Sequence, residues 1–219
     1  MNSTPGAFLK MNREIIGHFD ETWQDYDQWY DEHQALYQSE LAALKMAVPS
    51  GLGLEIGVGT GRFAAPLGVR FGLDPAIQML RAAKKRGISA VQGVGESLSF
   101  KEDSFDFVLI VFVIEFVDHL FLFLNEAARP LKKNGALILG FIDKDSRWGR
   151  YYAQDPSHRA HFHPPPAKEI LDILKSIGME FQETFQTLFQ PPPDIRFQEK
   201  PRRGFGEGGF VVCKAVKTR

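Results

Sequence analysis

Leu54-Glu55-Ile56-Gly57-Val58-Gly59-Thr60-Gly61-Arg62-Phe63 is the stretch from which the rest of the chain is read. A short buried strand runs into three glycines at alternate positions, and residues 64–69 continue as an apolar run suited to a buried helix. Glycine serves such a turn because it takes up backbone conformations closed to other residues and leaves room for a ligand against the chain. A helix starting after the turn would present unpaired N–H groups that favour a carboxylate or phosphate.

The spacing narrows the ligand. A dinucleotide fingerprint sets its glycines as G-x-G-x-x-G, and counted from Gly57 the third would fall where Arg62 stands. The pattern is instead acidic-x-Gly-x-Gly-x-Gly, led by Glu55. Asp74 follows in Gly72-Leu73-Asp74-Pro75, about twenty residues on, where an acid at the end of a second strand accepts both hydroxyl hydrogens of a ribose.

This arrangement resembles the class I S-adenosylmethionine (SAM) dependent methyltransferases, in particular the group related to the ubiquinone and menaquinone biosynthesis methyltransferases. Glu55-x-Gly57-x-Gly59-x-Gly61 is similar to that group's first motif and Asp74 to its second. Val94-Gly95-Glu96-Ser97-Leu98-Ser99-Phe100, followed by Asp103-Ser104-Phe105-Asp106, resembles Gly-Asp-Ala-Glu-x-Leu-Pro-Phe-x-Asp-x-Ser-Phe-Asp. Glu126-x-x-Arg129-Pro130-Leu131-Lys132-Lys133-Asn134-Gly135 resembles Glu-x-x-Arg-Val-Leu-Lys-Pro-Gly-Gly, a block that no dehydrogenase reading predicts. Tyr26-Asp27-x-Trp29-Tyr30 looks like Tyr-Asp-x-Trp-Phe in the helices ahead of the first strand. One departure matters: Val94 stands where many members have an Asp that accepts the adenine amino group.

The resemblance implies an α/β, Rossmann-like methyltransferase fold: a mostly parallel seven-stranded sheet, helices on both faces, and an antiparallel last strand. It implies one domain over residues 1–219, with a helical lid at 18–47 and a variable substrate-side insertion at 143–166. SAM is the expected cofactor. Gly57, Gly59 and Gly61 would cradle its methionine part and Asp74 would bind its ribose, with Glu55 of the same first motif among the cofactor-binding residues. Pro75 and Ala76 would border the adenine, Gly95 and Glu96 form the adenine loop, and Val111 and Phe112 lie near the methyl. Tyr26 either packs the lid or offers an aromatic face to the sulfonium. The implied reaction (EC 2.1.1.-) moves the methyl to an N, O or C nucleophile of a small-molecule acceptor. Two other readings stay open: a non-catalytic sensor or interaction protein that binds SAM or S-adenosylhomocysteine (SAH), and, more distantly, an NAD-dependent oxidoreductase.

Residues outside these blocks carry weaker signals. Residues 107–114 read as a central strand buried on both faces, which would deliver Glu115 toward the crevice at its carboxyl end. Glu115, His161 and His163 are the candidate bases, with a capping acid and solvated loop histidines as the alternatives. The spacing His158-x-x-His161-x-His163 lacks an acidic or cysteine partner at a recognised distance, and no metal is expected. Residues 1–17 are expected to be flexible, and the basic cluster of residues 200–203 reads as loop.

Composition sets the outer limits. Lys and Arg number 26 against 27 Asp and Glu, a net charge of −1, so neither nucleic acid nor a membrane surface is an expected partner. The 219 residues fit one domain with a sizeable core. The single cysteine, Cys213, excludes an intramolecular disulfide and reads as a buried thiol in a strand. The most apolar region, residues 105–124, is interrupted by Asp106, Glu115, Asp118 and His119, well short of the roughly 18 apolar residues a span needs. With no charged-then-apolar secretory start, the expectation is a cytoplasmic protein.

Overall fold

A computed structural model describes residues 5–155, 162–193 and 195–218, with side chains from Arg13 onward. Three helices, α1 (Pro5–Glu21), α2 (Trp23–Glu32) and α3 (Gln34–Ala47), precede the sheet. Strands β1 (Gly53–Ile56), β2 (Phe71–Asp74), β3 (Ser89–Gln92), β4 (Phe105–Val111) and β5 (Leu131–Ile142) alternate with α4 (Ile77–Lys85) and α5 (Leu120–Ala128). After β5 come α6 (Arg147–Gln154), α7 (Ala167–Ser176), β6 (Met179–Thr187), β7 (Arg202–Arg203) and β8 (Phe210–Lys217).

The strands line up as β3-β2-β1-β4-β5-β8-β6-β7. Pairing is parallel from β3 through β5, and β8 runs antiparallel to both β5 and β6. The strand order reverses between β1 and β4, which is where an open α/β sheet leaves a crevice at its carboxyl ends.

Period two divides β4 between two cores. Phe107, Leu109 and Val111 face the layer built from α3 and α4, while Val108 and Ile110 face α5 and α7. Burial on both faces explains why this strand is apolar almost throughout. Glu126 and Arg129, three residues apart, form an ion pair, and Arg129 also donates to the Leu98 and Phe100 carbonyls, tying α5 to the loop after β3. Cys213 is buried.

Four expectations are corrected. The sheet has an eighth strand, because Arg202 and Arg203 pair with Gln186 and Phe185 instead of lying in a loop. The chain start is helical from Pro5, with α1 packed on α4. The amphipathic pattern of residues 167–177 predicts a helix capped at Gly178, and the helix ends at Ser176, with Gly178 at φ +80° turning the chain out.

The fourth correction lies beside the glycine turn. Residues 64–69 form a run of turns and no regular helix. Ala65 and Leu67 make helical bonds to the Gly61 and Phe63 carbonyls, but Pro66 has no N–H to offer Arg62. The Tyr37 hydroxyl, from α3, donates to the Arg62 carbonyl that Pro66 leaves open.

Candidate active site

The carboxyl ends of β1, β2 and β4 open into a cavity of about 860 Å³ roofed by α1 and α2, within the size range of small-molecule sites. Its floor is the turn after β1. Gly57 and Gly59 line it at φ +73° and +51°, conformations that side chains rarely adopt. A Cβ on Gly57 would sit 2.2 Å from Val113, so the turn also needs glycine for space.

Asp74 organises this floor. Its Oδ2 accepts from the Gly59 N–H and its Oδ1 from the Ala76 N–H, each at 2.9 Å, which leaves further lone pairs on both oxygens for hydroxyl donors. Burial raises its carboxyl to about 6, against the pull of those two bonds. Pro75, Ala76, Val94, Gly95 and Glu96 continue the lining on this side, beside Met79 and Phe123. Val94 is among the exposed apolar side chains and offers no acceptor.

Two of the sequence-predicted cofactor residues lie beneath the floor. Glu55 is buried under the turn and takes the Ala64 N–H; burial pushes its carboxyl well above the ordinary range. Gly61 packs against Ala83 and Ile88. Neither lines the cavity, so both act on the turn's shape.

The roof is pinned to the floor through Asp27 of α2. Its carboxylate accepts from the Thr60 hydroxyl at 2.7 Å, Arg62 Nε at 2.9 Å and Arg86 at 2.8 Å. Although burial opposes it, these bonds hold the Asp27 carboxyl below its usual range. Arg62 also pairs with Asp31 at 2.7 Å. The arginine that breaks the dinucleotide spacing is therefore the clamp between the turn and α2. In the same helix, Tyr26 faces Gly59, where a Cβ would lie 3.8 Å from the hydroxyl, and shares a 3.0 Å hydrogen bond with Tyr30.

Beyond the two tyrosines the cavity is aromatic. Val111, Phe112, Phe116, Ile142, Tyr152 and Phe162 line it. Phe112 takes φ +54°, a strained choice for a bulky residue, where β4 ends and its N–H reaches the Gly140 carbonyl. Tyr152 and Phe162 come from residues 143–166, where Ser146 caps α6 by accepting the Gly149 N–H.

The candidate bases sit apart from this lining. Glu115 is buried in a short 3₁₀ turn, where Oε1 accepts the Ile142 N–H at 3.0 Å and Oε2 has no partner. Burial raises its carboxyl to about 7. His163 is exposed at its side chain and donates its backbone N–H to the Glu115 carbonyl. His158 and His161 lie outside the described residues. Among the described residues no group of three His, Cys, Asp or Glu is placed to hold a metal, and no helix is long and apolar enough to cross a membrane.

A carboxylate that the sequence did not signal does line the inner end: Glu40 of α3, 2% exposed. It falls within Gln38-Ser39-Glu40, which reads as the polar face of an amphipathic helix; only its placement one turn after Leu36 and Tyr37 hints at burial.

Comparison with known proteins agrees with this geometry. The profile of the methyltransferase domain family matches residues 54–139. An uncharacterized protein of Methanocaldococcus jannaschii is 41% identical over 91% of this chain and 98% of its own. A ubiquinone/menaquinone biosynthesis C-methyltransferase of Stenotrophomonas maltophilia is 26% identical over 93% of this chain and 85% of its own. The crystal structure of a SAM-dependent methyltransferase from Thermotoga maritima, described as a possible histamine N-methyltransferase, is 39% identical, covers 92% of this chain and 99% of its own, and superposes with a TM-score of 0.87.

Proposed function

The chain belongs to the class I SAM-dependent methyltransferases, and from that premise we propose that it methylates a small molecule held in the aromatic end of the cavity. SAM is the cofactor of this family. The observation that carries the reading is the joining of two unlike halves in one cavity: a glycine floor with a doubly pinned Asp74, and an aromatic chamber beyond Tyr26.

The residues present suit SAM. Free lone pairs on Asp74 match the two ribose hydroxyls, and the positive-φ turn at Gly57 and Gly59 leaves backbone open to the methionine part. The adenine side, with Val94 in place of an acceptor, would hold the base by apolar contact with Pro75, Ala76 and Phe123 and by the loop of Gly95 and Glu96. Bound SAM supplies a methyl on a sulfonium already activated for in-line displacement. Tyr26 would set an aromatic face near that charge, with Val111 and Phe112 along the same wall. The work left to the protein is alignment and exclusion of water, which α1 and α2 perform, with Asp27 holding α2 down.

Among the described residues Glu115 and His163 do not line the cavity, so neither is placed there as a base, and a neutral amine would need none. The test is SAH release from SAM over a panel of small amines, phenols and carbon acids, histamine included because of the Thermotoga maritima relative. Acceptor-dependent release is expected. Tight SAH binding with no turnover across the panel would support the sensor instead.

A further inference from the structure

Building on the methyltransferase reading, we propose that the inner end of the cavity is a cation subsite, in which the Glu40 carboxylate binds an ammonium group of a ligand with an aromatic or apolar body, the methylated atom of an acceptor held this way being another, unprotonated one.

The first observation is an unpartnered acid. Glu40 is 2% exposed and its Oε2 has no hydrogen-bond partner. Glu55 and Glu115 also keep one unpartnered carboxyl oxygen, but neither lines the cavity, whereas Asp74, which does, is satisfied by two backbone N–H groups. A buried carboxylate left without a donor is costly, and a cationic ligand relieves that cost with a charge-assisted hydrogen bond. The neighbouring Ser39 does not supply one, since its hydroxyl donates to the Ala35 carbonyl and accepts the Glu199 N–H.

The second observation is the charge of the lining. Glu14, Asp25, Glu40, Asp74 and Glu96 line the cavity, and among the described residues no lysine or arginine does. A cleft of one sign raises the local concentration of the opposite charge. Burial first, and Glu115 behind the wall second, push the Glu40 carboxyl well above the ordinary range, so a cation bound there also draws it into its ionised form.

The third is the wall around the acid. Tyr26, Tyr30, Phe112, Tyr152 and Phe162 line the chamber with Glu40, so a cation there meets aromatic faces as well as a carboxylate. The same rings fit an apolar ligand body. Glu40 couples electrostatically to Tyr26, Tyr30 and Tyr152, three of the rings that line the chamber with it.

Matched probes test this: phenethylamine and tryptamine against phenethyl alcohol and tryptophol, titrated calorimetrically into the full chain saturated with SAH. The amines should bind at least about tenfold more tightly than the alcohols, and Glu40→Gln should abolish the difference while leaving SAH affinity unchanged. Equal binding of amines and alcohols, or no binding of either amine, overturns the proposal. So does a loss of SAH affinity in Glu40→Gln, which would assign Glu40 to the cofactor. Should Glu40→Gln fail to fold, the wild-type comparison of amines with alcohols still decides. Failure of the wild-type chain to bind SAH is a separate result, and it overturns the methyltransferase reading together with this one.

Discussion

At the scale of single residues, Asp74 does two jobs with one carboxylate: it pins Gly59 and Ala76, and it keeps acceptors for a ribose. Removing it with Asp74→Ala should weaken SAM and SAH by about 1.5–3 kcal/mol, the worth of a charged hydrogen bond, as calorimetry would read; unchanged affinity removes it from the ribose site. Only the ionised carboxylate accepts from both hydroxyls. Since burial raises its pKa to about 6, affinity should fall as pH drops through 6, with a proton taken up on release, and Asp74→Asn should lose that dependence. This residue was legible in the sequence because its neighbours are: a glycine turn ahead and a proline behind leave few other readings. Glu40 was not, because one acid in an amphipathic helix looks the same whether water or a cavity faces it. Arg62 was legible only as a departure; its partner Asp27 is far off in sequence, and the ion pair exists only once α2 lies on the turn.

At the scale of elements, α2 is held by charge more than by depth. Of its ten residues only Tyr30 is fully buried, whereas Asp27 gathers Thr60, Arg62 and Arg86. Asp27→Ala should lower unfolding stability by about 1.5–3 kcal/mol in urea titration, and cleavage within α1 and α2 should speed up in limited proteolysis. Equal proteolysis rates would mean that packing alone holds the roof. The pairing of Glu126 with Arg129 at the end of α5 rests on i,i+3 spacing alone, which a sequence shows directly. The helix from Pro5 and the two-residue β7 were hidden because both depend on distant partners, α4 for the one and β6 for the other.

At the scale of the whole molecule, the buried acids set how stability follows pH. Asp74 and Glu115 are raised to about 6 and about 7 from ordinary values, so their neutral forms suit the fold. The sign follows: their contribution is full below about pH 4 and is lost as pH rises through 6 and 7, on the order of 3 kcal/mol for each. Asp27 and Glu126 work the other way, since their lowered values protect the fold until strong acid. The ligand-free chain should therefore unfold at higher urea near pH 5 than near pH 8, and saturating SAH should narrow the gap if it draws Asp74 into its ionised form. A flat profile would show that these carboxyls titrate as they do unfolded.

Tyr37 and Pro66 carry one last consequence. The hydroxyl of the first stands in for the amide hydrogen that the second lacks, at the Arg62 carbonyl. With any other residue at position 66, that carbonyl recovers a donor from its own segment, and the tyrosine hydroxyl is left to find another acceptor. The two positions are thus coupled across an α-helix and a loop. A chimera that takes its first fifty residues from one relative and the remainder from another should lose about 1 kcal/mol of stability where its halves disagree on that pair.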